Sequence, residues 1–145
     1  MLTRIAKRLT LISRSLSEVD RAKIARPPAE NEDTLFGKIA RKEIPANIVY
    51  EDDKVLAFRD ISPAAPTHIL LIPKVRDSLT RLNQIQEKHK DILGHMMWAA
   101  AEIARNEKLE EGWRLVINDG PLACQSIYHL HFHIIGGRQL GWPPG

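Results

Sequence analysis

The chain has 145 residues, of which 43% are hydrophobic, and a formal net charge of +3. This length suffices to bury one core, and no apolar run approaches the roughly 18 residues that a membrane span requires. A single cysteine, Cys124, excludes an intrachain disulfide framework. Four basic residues and no acid fall within residues 1–17, so the remainder is nearly neutral and we expect no nucleic-acid surface on it.

The first 33 residues differ in character from the rest. Within residues 1–17 the apolar side chains recur at helical spacing and the basic ones lie mostly on other faces, as in a mitochondrial transit peptide. Mitochondrial targeting is therefore expected, with a cytoplasmic protein as the alternative. Residues 18–33 are polar and interrupted by Pro27 and Pro28, which predicts a flexible linker. The folded domain is predicted over residues 34–145.

The predicted elements follow in chain order. Thr34 is a candidate N-cap for a short helix over residues 35–42, and a 3.6-residue apolar period predicts a long helix from Glu87 to about Lys108. Strand patterns cover residues 47–51, 55–59, 68–72, 114–117 and 126–135. One long helix, one short helix and short neighbouring strands predict an α+β fold with a five-stranded, mostly antiparallel sheet.

The last predicted strand carries three histidines at alternating positions. In a strand, His129, His131 and His133 lie on one face, about 6.6 Å apart from a rise of about 3.3 Å per residue. The intervening Leu130 and Phe132 then face a core. Three imidazoles on a rigid support are a candidate site for chemistry.

Two other interpretations of this pattern stay open at this point. Histidines at alternating strand positions can bind zinc, with His68 as a possible fourth ligand, although the strand holds no Cys, Asp or Glu that could complete a tetrahedral set. Three histidines can also be tolerated on a half-exposed strand without any function. The spacing alone does not decide between nucleophile, metal site and surface.

The flanking residues favour chemistry at phosphorus. Asn118, Gln125 and Ser126 precede the histidines and offer neutral hydrogen-bonding groups that suit phosphate oxygens. Gly136 and Gly137 follow and allow a sharp turn or a close approach of another chain. A histidine nucleophile would form a covalent phospho-histidine that water then removes, while a second His or Ser protonates the leaving group.

Several motifs together resemble a known family. The run His129–Ile135 has the full His-φ-His-φ-His-φ-φ pattern, where φ is apolar, of the histidine triad superfamily. The segments Phe36–Ile39, Glu43–Ala46 and Ala65–His68 and the ending Gly136–Gly145 resemble the histidine triad nucleotide-binding proteins specifically. The resemblance extends from Thr34 to Gly145.

The resemblance implies a fold and an activity. The family fold is α+β, with a five-stranded sheet that continues across a homodimer. The implied activity is that of a purine nucleoside phosphoramidase, which hydrolyses the P–N bond of AMP-amine or GMP-amine conjugates and needs neither a metal nor another cofactor. The alternatives are a dinucleoside polyphosphate hydrolase of the same superfamily and a nucleotide-binding scaffold with incidental catalysis.

The resemblance also implies roles for the polar residues. His131 corresponds to the nucleophile, His129 supports it through hydrogen bonding, and His133 contacts the phosphate. Gln125 and Ser126 would hold the phosphate and the leaving group, which places Ser126 among the catalytic residues. Asn118 would add a phosphate contact.

The nucleoside side of the site is implied in the same way. Four apolar residues match the base pocket, namely Phe36, Ile39, Phe58 and Ile61. Asp60 matches the carboxylate that accepts hydrogen bonds from the ribose, and Trp142 matches a residue that reaches the partner subunit's site. Two positions depart from the family pattern: Arg59 replaces a His of the cytosolic proteins and resembles the mitochondrial branch, and Cys124 replaces a usual Gly.

Overall fold

The computed structural model describes residues 16–145. Three α-helices occur in this range: α1 (Glu18–Ile24), α2 (Leu35–Ala40) and α3 (Lys90–Asn106). The strands are β1 (Ile48–Glu51), β2 (Val55–Arg59), β3 (Thr67–Pro73), β4 (Trp113–Val116) and β5 (Phe132–Gly136). None of these helices combines the length and apolar character needed to cross a bilayer.

The five strands form one sheet in the order β1-β2-β3-β5-β4, and all neighbouring strands are antiparallel. The predicted α+β class and five-stranded sheet are confirmed. Strand β5 lies between β3 and β4. Its residue His133 is therefore paired on one side with Leu70 of β3 and on the other with Val116 of β4. The histidine strand is thus held from both sides.

The two faces of the sheet bury separate cores. On one face, Met96, Ala99 and Ile103 of α3 pack with alternate residues of β2, β3 and β5, including Phe132 and Ile134. On the other face, α2 packs on the residues between them, in a cluster made of Phe36, Ile39, Leu56, Phe58, Leu70 and Ile72. The period of two in the strands separates an α3 face from an α2 face.

Thr34 begins α2 as predicted. Its backbone is extended, and its Oγ1 accepts a hydrogen bond of 2.9 Å from the amide of Gly37. This N-cap satisfies an amide that the first helical turn leaves without a partner. The same hydroxyl also forms a hydrogen bond with the ring of His129.

The linker predicted over residues 18–33 is corrected by the structure, because α1 occupies part of it. Ser17 and Asp20 form a capping box, and Ala22 is fully buried against the rest of the chain. Arg76 donates hydrogen bonds to the carbonyls of Glu30 and Glu32. Two turns with one buried residue show too little apolar period to be predicted, and their order comes from capping and docking. Residues 1–15 of the predicted transit segment lie outside the described range.

The strand predicted over residues 126–135 is also corrected. The ladder of β5 starts only at Phe132, opposite Leu71, so His129 and His131 precede it in an irregular segment. Leu130 still packs in the α3 core while His131 contacts Phe36 of α2. The alternation of faces therefore begins before the hydrogen-bonded strand does.

Candidate active site

The three histidines meet on the α2 face. The ring centroids of His131 and His133 are 5.0 Å apart, and Phe36 meets His131 edge to face at 5.0 Å and His129 at 6.2 Å. His129 and His131 are buried, and His133 is nearly so. Apolar walls thus surround groups whose charged forms are poorly solvated there.

His129 is held by two hydrogen bonds that define its tautomer. Its Nε2 lies 2.8 Å from the carbonyl of Pro73, which can only accept, so Nε2 carries the proton. Its Nδ1 therefore accepts from the hydroxyl of Thr34 at 2.9 Å. That hydroxyl oxygen accepts in turn from Gly37. The His129 ring is anchored between β3 and the start of α2.

His131 is oriented by the backbone of its neighbour. Its Nδ1 donates to the carbonyl of His129 at 2.8 Å. Its Nε2 therefore holds a lone pair, and no described residue hydrogen-bonds to it. The support expected from His129 is given by its carbonyl oxygen rather than by its imidazole. A carbonyl on Nδ1–H also stabilises the positive charge that develops when Nε2 attacks an electrophile.

His133 receives its orientation from His68. The amide of Ala64 donates to Nδ1 of His68 at 3.0 Å, which places the His68 proton on Nε2. That Nε2–H donates to Nδ1 of His133 at 2.9 Å. The His133 proton then lies on Nε2, a buried atom without a hydrogen-bond partner in the described structure. A buried unpaired donor is costly, so this N–H is suited to an incoming phosphate oxygen.

Burial keeps these imidazoles neutral. It lowers the pKa of His129 to about 4 and, together with the nearby His131 and His68, the pKa of His133 to about 3. Burial also lowers the pKa of His131 and His68, against the raising effect of Asp60 and Glu18. A neutral His131 is the form whose lone pair can act as a nucleophile.

The metal interpretation fits this donor set poorly. One ligand atom each from Asp60, His68 and His133 lies within 4.8 Å of the others. The Nε2 of His68 would have to lose its proton to bind a metal, and Nδ1 would then carry one. The amide of Ala64 points at that same Nδ1, so two donors would face each other. The hydrogen bonds favour a proton between His68 and His133 rather than a cation.

The loop before the histidines is fastened by Gln125. This side chain is 1% exposed; its Oε1 accepts from Gly120, and its Nε2 donates to the carbonyls of Thr80 and Ile127. In this structure the Gln125 side chain shapes the loop, and its contact with a phosphate stays a prediction. Gly120 has a φ of +84°, and a Cβ there would overlap the guanidinium of Arg81.

The remaining predicted phosphate ligands lie beside that loop. Asn118 follows β4, is half-buried, and has no hydrogen-bond partner among the described residues. Ser126 donates from Oγ to Oε2 of Glu18 at 2.9 Å. Next to Asn118, Asp119 pairs with Arg81 at 3.0 Å through both carboxylate oxygens. Sequence reasoning did not single out Arg81, because its partner is 38 residues away.

The predicted nucleoside residues are only partly brought together. Phe36, Ile39 and Phe58 are buried in one cluster, with Phe36 and Phe58 edge to face at 5.5 Å. Asp60 directly follows the last residue of β2, and its Oδ2 is 3.6 Å from Nε2 of His68. Ile61 is 94% exposed and does not join the cluster, and its predicted place in the base pocket stays a prediction.

Trp142 stands apart from the site residues of its own chain. Its side chain is 84% exposed, and it lies in the ending that follows β5. A large exposed aromatic side chain of this kind is unusual on a surface without a partner. The structure leaves the side chain available and does not bring it to the histidines.

The two departures from the family pattern have different surroundings. Arg59 ends β2 and pairs with Glu107 beyond the end of α3 at 2.7 Å, on the face opposite the imidazoles. Cys124 directly precedes Gln125 and has φ +63° and ψ +30°, the left-handed conformation that glycine adopts most easily. The cysteine thus follows a glycine-like path, and only Arg59 is remote from the site.

Comparison with known proteins agrees with this arrangement. Residues 41–140 match the model of the HIT domain. The chain belongs to the HIT family. The 14 kDa zinc-binding protein of Brassica juncea is 65% identical to this HIT chain over 113 residues, which are 78% of the chain and 100% of the relative. The adenylylsulfatase HINT1 of Arabidopsis thaliana is 59% identical over 124 residues, or 86% of the chain and 84% of the relative.

Solved structures support the same assignment. A HIT family hydrolase from Legionella pneumophila superposes with a TM-score of 0.75 at 46% identity, covering 78% of this chain and 100% of its own. A histidine triad nucleotide-binding protein from Candida albicans has a TM-score of 0.64 at 31% identity, covering 77% and 83%. The predicted histidine triad nucleotide-binding branch is confirmed.

Proposed function

We propose that this HIT protein is a hydrolase that cleaves nucleoside 5′-phosphoramidates, releasing a purine nucleoside monophosphate and an amine. The observation that carries the proposal is the state of His131. Its Nδ1–H is held by the carbonyl of His129, and no residue in the range 16–145 hydrogen-bonds to its Nε2 lone pair. The names of the relatives support the broader class of hydrolases.

In the first step, Nε2 of His131 attacks the phosphorus atom as the P–N bond to the amine breaks. The imidazole gains positive charge, which the carbonyl of His129 stabilises through Nδ1–H. The free Nε2–H of His133 can donate to a phosphate oxygen. The electron pair of the broken bond stays on the departing nitrogen, which takes up a proton from solvent, and the hydroxyl of Ser126 is suited to hydrogen-bond that nitrogen.

In the second step, water attacks the phosphorus of the covalent intermediate. The bond from phosphorus to Nε2 breaks and returns its electron pair to His131, and the proton of the water is released to solvent. The two-step route gives retention at phosphorus, because each displacement inverts it. Asp60 would orient the ribose, and Phe36 and Phe58 would offer apolar contacts to the base.

A second candidate substrate is adenylyl sulfate. The Arabidopsis relative is named an adenylylsulfatase and is 59% identical to this chain. The attack by His131 would be the same, and only the leaving group would change from an amine to sulfate. Both reactions would form the same covalent intermediate. The preference between the two substrates would therefore depend on the contacts that the site makes with the leaving group.

Three substrates separate the candidate activities: an AMP-amine conjugate, adenylyl sulfate and diadenosine tetraphosphate. We expect the highest kcat/KM for the conjugate. The variant His131→Asn should lose turnover by about 10³-fold or more and yield no covalent adduct by mass spectrometry, while AMP binding persists. Rapid hydrolysis by His131→Asn would contradict the nucleophile assignment. Preference for either of the other substrates would replace the proposed one.

We also propose a homodimer in which Trp142 reaches the partner subunit's site. The exposed position of this side chain supports the proposal. Trp142→Ala should change the relative rates among amine leaving groups more than it changes thermal stability. Light scattering at micromolar concentration measures the assembly directly, and a monomer would contradict it.

Mitochondrial location remains a proposal with the cytoplasm as the alternative. It rests on residues 1–17, with their apolar helical spacing, basic residues and lack of acids. A fusion of residues 1–30 to a fluorescent reporter tests it. Diffuse cytosolic fluorescence would contradict the transit-peptide interpretation.

A further inference from the structure

A carboxylate from α1 reaches the loop that carries Ser126. Oγ of Ser126 donates to Oε2 of Glu18 at 2.9 Å, and this bond joins segments 108 residues apart in the chain. A hydroxyl has one proton, so Ser126 cannot donate to Glu18 and to a substrate oxygen at once. Glu18 therefore either competes with the substrate group that Ser126 would bind or lies close enough to contact that group.

The position of Glu18 is defined by several contacts. The capping box of Ser17 and Asp20 fixes the start of α1, and the burial of Ala22 docks the helix. Glu18 is also bonded to Arg21 of the same helix through its other oxygen, at 2.9 Å. The carboxylate is bonded from two sides, although its side chain is 57% exposed.

The charge of Glu18 acts on the imidazoles as well as on Ser126. It raises the pKa of both His68 and His131, in the same sense as Asp60 and against the lowering effect of burial. A negative charge that influences the nucleophile also influences charge on the group that leaves from phosphorus. Arg21 offsets part of this field.

We infer that Glu18 is a specificity residue that disfavours anionic leaving groups and favours cationic amines. The inference rests on the proposed function, since it assigns Ser126 to the leaving-group side of the site. An amine with a positive substituent gains an attractive interaction with the carboxylate, while a negatively charged one is repelled. The neutral hydroxyl of Ser126 alone would not make this distinction.

A matched series of three AMP conjugates isolates the charge from the type of bond. Each contains the same P–N linkage and an amine of similar size: ethylenediamine is cationic, ethanolamine neutral and glycine anionic. We expect the kcat/KM of the wild-type protein to fall in that order. Glu18→Gln should reduce the ratio between the cationic and the anionic conjugate by about threefold to tenfold, as for a unit charge at a partly exposed site.

Two further variants control the test. Glu30→Gln removes the same charge from the same terminal region at an exposed side chain, since Arg76 bonds only the backbone carbonyl of this residue, and it should leave the ratio unchanged. Arg21→Gln removes the offsetting charge and should increase the ratio. Thermal unfolding and circular dichroism establish that each variant remains folded.

The outcomes separate the two proposals. If the wild-type protein hydrolyses none of the three conjugates, the proposed phosphoramidase activity fails. If it hydrolyses them and Glu18→Gln leaves the ratio unchanged, the specificity inference is overturned while the activity stands. An equal gain for all three conjugates would show that Glu18 only competes for Ser126, and would also overturn the inference.

Discussion

The imidazoles of His68 and His133 share a hydrogen bond of 2.9 Å between Nε2 of the first and Nδ1 of the second. The amide of Ala64 donates to Nδ1 of His68, so each group in the row Ala64, His68 and His133 donates its N–H to the next one. The last N–H, on Nε2 of His133, points to no described acceptor. The row of groups presents a preoriented donor beside His131, the proposed nucleophile.

The first prediction tests this orientation with two variants of His68. His68→Met removes the donor to His133 while keeping similar volume, and kcat should fall by about 10-fold to 100-fold with little change in KM. His68→Gln keeps an N–H near the position of Nε2 and should recover most of that loss. Equal loss in both variants would show that His68 matters only for packing.

The second prediction concerns stability against pH. The pKa of His129 is about 4 and that of His133 about 3 in the folded protein, below the ordinary value of 6.5. At a pH between the folded and the ordinary pKa, the unfolded chain binds more protons than the folded protein. The free energy of unfolding therefore falls as the pH drops below 6.5. Each imidazole should cost at most about 2 kcal/mol by pH 5.

Urea unfolding at pH 7 and pH 5 measures this effect. The carboxylate of Asp52, whose pKa is lowered to about 2 by backbone and side-chain hydrogen bonds, contributes mainly below pH 4 and so does not interfere. His129→Asn should show a smaller difference between the two pH values. Equal stability of the wild-type protein at both pH values would contradict the buried neutral imidazoles.

The third prediction concerns zinc. Because the His68 proton lies between two nitrogen atoms, treatment with a chelator should leave hydrolysis unchanged. Excess zinc should inhibit by displacing that proton and engaging His133. Activity that is lost on chelation and restored by one equivalent of zinc would contradict the catalytic assignment and favour a resident metal.

The fourth prediction concerns Cys124. A residue with a Cβ in the left-handed conformation costs about 1–2 kcal/mol, and Cys124 has a φ of +63°. Cys124→Gly should therefore raise the free energy of unfolding by about 1 kcal/mol, after the greater flexibility of unfolded glycine is counted. Cys124→Ala keeps the Cβ and should give no such gain. Calorimetry of the three proteins distinguishes these outcomes.

Much of the fold follows from local patterns. Residues 55–59 alternate between two buried faces, and β2 forms over those same residues. The Thr34 cap and the long helix also follow from short-range signals. These elements were predictable because neighbours in sequence determine them.

The rest depends on contacts between distant residues. The hydroxyl of Thr34 forms a hydrogen bond with His129, which is 95 positions away, and no local sequence pattern predicts this contact. The ladder of β5 begins only at Phe132, opposite Leu71, although β3 continues to Pro73, and the sequence of β5 does not record this start. Gln125 is a residue type that can bind phosphate, but in this structure its side chain forms hydrogen bonds with the backbone of Gly120 and Thr80. The resemblance proposed site positions, and the structure shows the contacts that each of them makes.

The chain of hydrogen bonds from Gly37 through Thr34 to His129 has a practical consequence for observing this protein. The amide proton of Gly37 exchanges with solvent only when the first turn of α2 opens, and that opening also releases the ring of His129. Its exchange rate is thus a spectroscopic reporter on the integrity of the three-histidine site, readable by NMR without any substrate.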